Sequence, residues 1–256
     1  MWFDSHAHVS SPEFAKDRAE VIERAYSAGV TRFVNVGYSR QSISYMLKLV
    51  DSYEFIFGTV GLHPHDAKEM TEAYLEDLKA RAAHPKILAI GETGLDFHYD
   101  NSPRDVQRES FRRQIRLARE LSMPLIIHDR EAHRECLDIL TEEDGWVNGG
   151  IFHCYSGSAE MAEEIVRNGF YISFSGVLTY NNATKVRKAA ASVPLDRLLI
   201  ETDCPYLTPQ SRRGKRNEPA YVVETGHALA ELRGLSPEEM AGITWENANR
   251  VYGLDA

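Results

Sequence analysis

The 256-residue chain carries a formal charge of −9, from 29 Lys and Arg against 38 Asp and Glu, with 43% hydrophobic and 26% charged residues. That balance is too apolar for a disordered chain, and no apolar run approaches the roughly 20 residues of a membrane span. The acidic excess argues against a broad basic grip on nucleic acid.

Along the chain, short apolar runs alternate with longer amphipathic segments. Trp2–Phe3 opens the series, and Val21, Ile22, Ala25 and Tyr26 follow on a helical stripe. The next runs are 31–36, 54–60 and 87–90. A helix is then predicted with Ser102 as N-cap, Pro103 at its first position, Asp105 in its first turn and an apolar face of Phe111, Ile115, Ala118 and Leu121. Runs at 124–127, 150–152, 170–174 and 197–200 complete the set, with a weaker helical stripe at Met161, Ile165 and Val166. Ser236-Pro237-Glu238-Glu239 reads as a capping box before a last helix. Continuous apolar runs of this length are how strands buried on both faces read. Eight of them, each followed by a helical candidate, predict an α/β protein, a (β/α)8 TIM barrel, as a single domain over 1–256. An open doubly wound sheet is the alternative, but no GxGxxG follows the first run.

The three cysteines, Cys136, Cys154 and Cys204, form no CxxC pair and cannot all be matched in disulfides. The first residues, Met1 to His6, lack a basic segment followed by an apolar one. Both features lead to the expectation of a cytoplasmic protein, with no membrane association and monomeric by default.

Barrel enzymes gather their chemistry at the C-terminal ends of the strands. Those ends bring His6 and His8, His63 and His65, Glu92, His128, His153, and Glu201 with Asp203 to one mouth. In His6-Ala7-His8 the two imidazoles stand two residues apart on an extended strand, so both face one cation. His6, His8, His128 and His153, with carboxylates at two further strand ends, exceed what one ion needs, which points to two divalent ions with Glu92 between them. Imidazoles with carboxylates suit Zn2+ or Mn2+, while Mg2+ prefers more oxygens. No GxSxG elbow or P-loop competes. Glu201 reads equally as an acid–base group and as a buried barrel residue. The basic cluster Arg212, Arg213, Lys215 and Arg216 reads either as a solvated face or as a phosphate clamp, with Arg130 a second candidate for the clamp.

Together, Asp4-Ser5-His6-Ala7-His8, Gly61-Leu62-His63-Pro64-His65, Gly91-Glu92-Thr93-Gly94-Leu95-Asp96, His128-Asp129-Arg130, His153-Cys154-Tyr155-Ser156-Gly157 and Glu201-Thr202-Asp203-Cys204-Pro205-Tyr206-Leu207 resemble the TatD family of metal-dependent deoxyribonucleases. So do Arg213-Gly214-Lys215-Arg216-Asn217-Glu218-Pro219 and the stretch from Phe170 to Gly176, and the resemblance runs from Phe3 to about Asn249. It implies an amidohydrolase-like barrel that hydrolyses DNA phosphodiesters, as an exonuclease-type enzyme, with two divalent ions (Zn, Mn or Mg) held by His6, His8, Glu92, His128, His153 and Asp203. In that reading Asp203 accepts a proton from the attacking water and Glu92 bridges the ions. His63, His65, Arg130, Arg213 and Arg216 are candidates for substrate binding. Ala7 stands where Cys is frequent in the family, and Phe97-His98-Tyr99 departs from a more aromatic run, so His98 is expected to alter the cleft lining.

The competing expectation is a small-molecule amidohydrolase or lactonase on the same barrel. Many such enzymes bridge their metals with a carbamylated lysine on the fourth strand, where this chain has Glu92 and no nearby strand-end Lys. The expected partner is therefore DNA, engaged over a short single-stranded stretch or an end. The charge of −9 disfavours a long duplex grip, but two divalent ions and a few arginines suffice for a local one.

Overall fold

The computed structural model describes residues 1–255. Eight strands lie in chain order around a nearly closed barrel: β1 (Trp2–Ala7), β2 (Val30–Val36), β3 (Ile56–Val60), β4 (Ile87–Asp96), β5 (Leu125–Arg130), β6 (Gly150–Phe152), β7 (Tyr171–Phe174) and β8 (Leu198–Ile200). Every neighbouring pair from β1–β2 to β7–β8 is parallel. The helices between and after them are α1 (Arg18–Ser27), α2 (Arg40–Ser52), α3 (Glu72–Ala82), α4 (Arg104–Leu121), α5 (His133–Glu142), α6 (Ala159–Arg167), α7 (Thr184–Ser192), α8 (Val222–Arg233) and α9 (Pro237–Tyr252). None of the described helices is long and apolar enough to cross a membrane.

Three strands outrun the apolar segments that announce them. His6 lies within β1, Glu92 within β4 and His128 within β5, so these side chains leave strands rather than loops, although the pairing register shifts between Asp4 and Ala7 and between Ile90 and Thr93. The capping box at Ser236 forms as expected: its hydroxyl accepts from the Glu239 N–H while the Glu239 carboxylate accepts from the Ser236 N–H. Ser102 does not cap α4. Pro103 holds the N-cap position, and the Ser102 hydroxyl instead donates to the His65 carbonyl.

Two apolar clusters hold the layers. The larger lies between strands and helices and includes Phe111 and Ile115, on the predicted face of α4, both fully buried. The smaller fills the inside of the strand ring with Phe3, Val34, Ala89, Ile126, Ile151, Tyr171 and Leu199, closed from below by Ala248 and Tyr252 of α9. The seam between β8 and β1 is joined by other means than a strand ladder. The Asp203 N–H donates to the His6 carbonyl and the His8 N–H to the Cys204 carbonyl, each at 2.9 Å. The Asp4 carboxylate accepts from both the N–H and the hydroxyl of Thr202, and the Ser5 hydroxyl donates to the Ile200 carbonyl. Tyr252 of α9 ties its hydroxyl to the Ser5 carbonyl at 2.8 Å.

Candidate functional site

The strand ends converge on Glu92, a buried side chain whose two oxygens face different imidazoles. Glu92 Oε2 lies 3.6 Å from both His6 Nε2 and His8 Nε2. Glu92 Oε1 lies 2.8 Å from His153 Nε2, 2.9 Å from His128 Nδ1 and 3.5 Å from His63 Nε2. Asp203 Oδ1 approaches His8 Nε2 to 3.3 Å and His6 Nε2 to 3.8 Å from the other side. Asp203 has a φ of +55°, and Cys154, just after His153, a φ of +43°. Two left-handed non-glycine residues at one mouth store strain of the kind that clusters at functional sites.

The outer nitrogens of three of these rings fix which face turns inward. His8 Nδ1 must donate to the Val36 carbonyl, 3.1 Å away, because a carbonyl only accepts. Its Nε2 therefore turns a lone pair toward His6 Nε2 at 3.1 Å when the ring is neutral. His128 Nε2 meets Asp96 Oδ2 at 3.1 Å, and His153 Nδ1 meets Glu201 Oε1 at 3.3 Å. Glu201, fully buried, also accepts the Cys154 N–H, which makes it the anchor of His153. Carboxylate or carbonyl behind imidazole is the usual support of a metal-ligating histidine. His63 is different. Its Nδ1 accepts the His65 N–H at 3.1 Å, so the neutral ring carries its proton on Nε2 and offers Glu92 a donor.

Burial and charge work against each other here. Burial raises the Glu92 carboxyl, but the charges of His153 and His63 and hydrogen bonds from His128 and His153 overcome it and hold Glu92 well below the carboxylate range. Asp203 is likewise raised by burial, then held low by His8, His153 and His6. Burial lowers His153, yet Glu92 and Glu201 outweigh it and hold the ring well above the usual imidazole value. His63, where burial dominates, falls to about 4. Behind the seam, burial pushes Asp4 up to about 8 against the hydrogen bonds from Thr202.

Three sets of side chains bring one donor atom each within 4.8 Å of one another: His6, His8 and Asp203; His63, Glu92 and His128; and His6, His153 and Glu201. The structure thus gathers His6, His8, Glu92, His128, His153 and Asp203 at one point, with His63 against them. His65 sits one layer out, its Nε2 on Asp96 Oδ2 at 3.0 Å. The cleft above the cluster has a volume of about 510 Å³, and Arg130 is the one Arg or Lys that lines it. Arg213 and Arg216 are not among the lining residues. Arg216 grips Asp17 with both amino groups and covers Phe14, Arg213 lies over Tyr180 and Arg212 pairs with Glu224. His98 also turns away, to Glu131, and Tyr99 takes the place at the cleft. Sequence reasoning assigned no role to Asp96, Tyr38, Tyr99 or Tyr206. Asp96 and Tyr206 fall inside quoted motifs, and only the folded chain shows what they touch.

Comparison with known proteins follows this geometry. The model of the family "TatD related DNase" matches residues 3–253. A metal-dependent hydrolase of Bacillus subtilis (strain 168), YabD, is 48% identical over 255 residues, covering 100% of both chains. A Citrobacter rodentium protein named 3'-5' ssDNA/RNA exonuclease TatD is 36% identical over 260 residues, covering 98% of each. The crystal structure of YJJV, a TatD homolog from Escherichia coli K12, superposes with a TM-score of 0.93 at 29% identity, over 99% of this chain and 98% of that one.

Proposed function

The chain belongs to the TatD-related DNase family, and from that premise we propose that it is a divalent-metal-dependent, exonuclease-type deoxyribonuclease that hydrolyses phosphodiester bonds at a single-stranded DNA end. It works as one catalytic domain, as a cytoplasmic monomer. The observation that carries this reading is the division of Glu92, one oxygen against His6 and His8 and the other against His128 and His153.

That donor set suits two cations. Two imidazole nitrogens 3.1 Å apart, one of them bound to offer a lone pair, repel each other unless a proton or a positive ion lies between them. His6, His8, Asp203 and Glu92 would hold one ion, and His128, His153 and Glu92 a second. Mixed nitrogen and oxygen donors favour Zn2+ or Mn2+ over Mg2+. Bound there, the ions supply a water acidic enough to attack near neutral pH and positive charge beside the phosphoryl oxygens.

The chain's own residues do the rest. Asp203, held ionised by the imidazoles and reachable from the cleft, takes the proton of the attacking water. His63, neutral at any pH well above 4, donates its Nε2 proton to a phosphoryl oxygen without adding charge. Arg130 offsets the charge that builds on the phosphate as it is attacked. Glu201 and Asp96 keep His153 and His128 aimed inward.

The test compares wild type with Glu92→Ala, both given Mn2+ or Zn2+, on 3'- and 5'-labelled single strands, on duplex DNA and on a panel of lactones and amides. Wild type is expected to shorten single strands from the end, and Glu92→Ala to lose at least about a hundredfold in rate, the upper range for disturbing even a supporting metal contact. Intact DNA alongside lactone or amide turnover overturns the proposal. Metal analysis is expected to find two equivalents per chain, and no more than one at saturation removes the dinuclear assignment.

A further inference from the structure

We infer that Tyr99 and Tyr206 are the base-stacking residues of the cleft, the rings on which unpaired nucleobases lie while the phosphate sits at Glu92. The inference rests on the nuclease reading and adds to it how a strand is held.

Few large apolar side chains of the described residues are strongly exposed, and Tyr99 (55%) and Tyr206 (54%) are the ones that also line the cleft. The other exposed tyrosines stand away from the cleft, Tyr26 on Phe55 with ring centres 5.3 Å apart and Tyr45 under Lys48 at 5.2 Å. A large ring left half exposed at the rim of a concave site is the usual mark of a surface that a ligand covers.

The backbone that carries each ring is anchored to the catalytic centre. The Tyr99 N–H donates to Asp96 Oδ1 at 2.9 Å, and the other oxygen of Asp96 holds His128 and His65. The Tyr206 N–H donates to the Asp203 carbonyl at 3.0 Å, and its own carbonyl accepts from Asn217 at 2.6 Å. With the backbone held, only the two side-chain torsions of each tyrosine remain to be ordered when a base lands on the ring. Arg130 lies 4.8 Å from the centre of the Tyr99 ring, and His98 and His65 meet that ring edge-on at 4.8 and 5.4 Å, so its remaining exposed surface carries a cation beside it for the adjoining phosphate.

Charge gives the independent reason. The cleft lining holds four carboxylates (Asp66, Glu92, Asp96 and Asp203) against the one guanidinium of Arg130. Such a surface cannot hold a strand by its phosphates at any distance from the ions. Stacking needs no charge and accepts every base, and it takes only bases already out of a duplex. The same two rings therefore account for both sequence tolerance and a preference for single strands.

The experiment uses the full-length protein with Mn2+ and two single-stranded substrates, an oligonucleotide and its counterpart with abasic residues at the terminal positions. Variants are Tyr99→Ala, Tyr206→Ala and the Phe replacement at each site, with thermal melting to show that each is folded. Each Ala variant is expected to raise KM on the normal strand about tenfold, the effect of one lost stacking contact, with kcat little changed. Phe variants are expected to match wild type, and on the abasic strand wild type and Ala variants are expected to coincide. Unchanged KM in both Ala variants, or equal wild-type KM on normal and abasic strands, overturns the inference and leaves the nuclease reading standing. Wild type that cleaves neither strand overturns that reading and the inference with it.

Discussion

Asp96 divides its two oxygens between two tasks. Oδ2 accepts from His65 and His128, while Oδ1 accepts the backbone N–H groups of His98 and Tyr99. Burial raises this carboxyl, but the hydrogen bonds from His128 and His65 overcome it and hold Asp96 far below the usual range, so it stays an acceptor. Asp96→Asn puts an amide donor against one of these partners. Removing such a support behind a ligating imidazole lowers metal affinity about 10–100-fold. Titration of the apoprotein against a coloured chelator is expected to show that loss, with far-ultraviolet dichroism unchanged; full affinity in the variant refutes the role. Spacing exposed His128, Glu92 and the other inward groups because they interrupt apolar runs at strand ends. Asp96 gives no such signal, since its partners lie 31 and 32 residues away on other elements.

At the scale of elements, α4 does more than cover the barrel. Gln107 accepts the Asp96 N–H at 2.9 Å and donates to the Asp96 and Ser102 carbonyls. Gln114, two turns on, accepts the Leu62 N–H at 2.8 Å and donates to the Leu62 carbonyl. The helix thereby replaces the ladder where β3 and β4 run out and holds the segments that carry His63 and Asp96. Gln107→Leu fits the apolar setting but strands three backbone groups, one unmet donor or acceptor costing about 1–3 kcal/mol. Urea unfolding is expected to show a loss of at least that size, and a variant as stable as wild type contradicts it. The apolar periodicity of α4 was legible in its sequence, yet Gln107 and Gln114 read there as ordinary polar positions. The lengths of β1, β4 and β5 were hidden for a related reason. Buried polar residues such as His6, Glu92 and His128 continue the strand while ending the apolar run that reveals it.

For the molecule as a whole, the site concentrates uncompensated chemistry in one place. Four imidazoles and the Asp203 carboxylate are buried or nearly so around Glu92, and ions that bind this native arrangement but not the unfolded chain stabilise the fold. At an ion concentration about a hundredfold above Kd the gain is about 2.7 kcal/mol for one site. For a chain of this size that corresponds to a rise of roughly 5–10 °C in Tm. Thermal melting with Mn2+ or Zn2+ and then with excess EDTA is expected to show that difference, larger in wild type than in Glu92→Ala. Equal Tm with and without metal is incompatible with ion binding at this cluster.

The seam between β8 and β1 places a condition on how the protein comes into being. Its bonds join Ser5 to Ile200 and Asp4 to Thr202, residues 195 and 198 positions apart. His6 and His8 stand on one lip of that seam and Asp203 on the other. A ribosome therefore releases the imidazole pair long before the carboxylate that completes its cation site, and Tyr252, which locks the seam, emerges later still. Chains not yet extended past Asp203 lack a complete site, so hydrolytic competence waits on the segment from Asp203 to Tyr252.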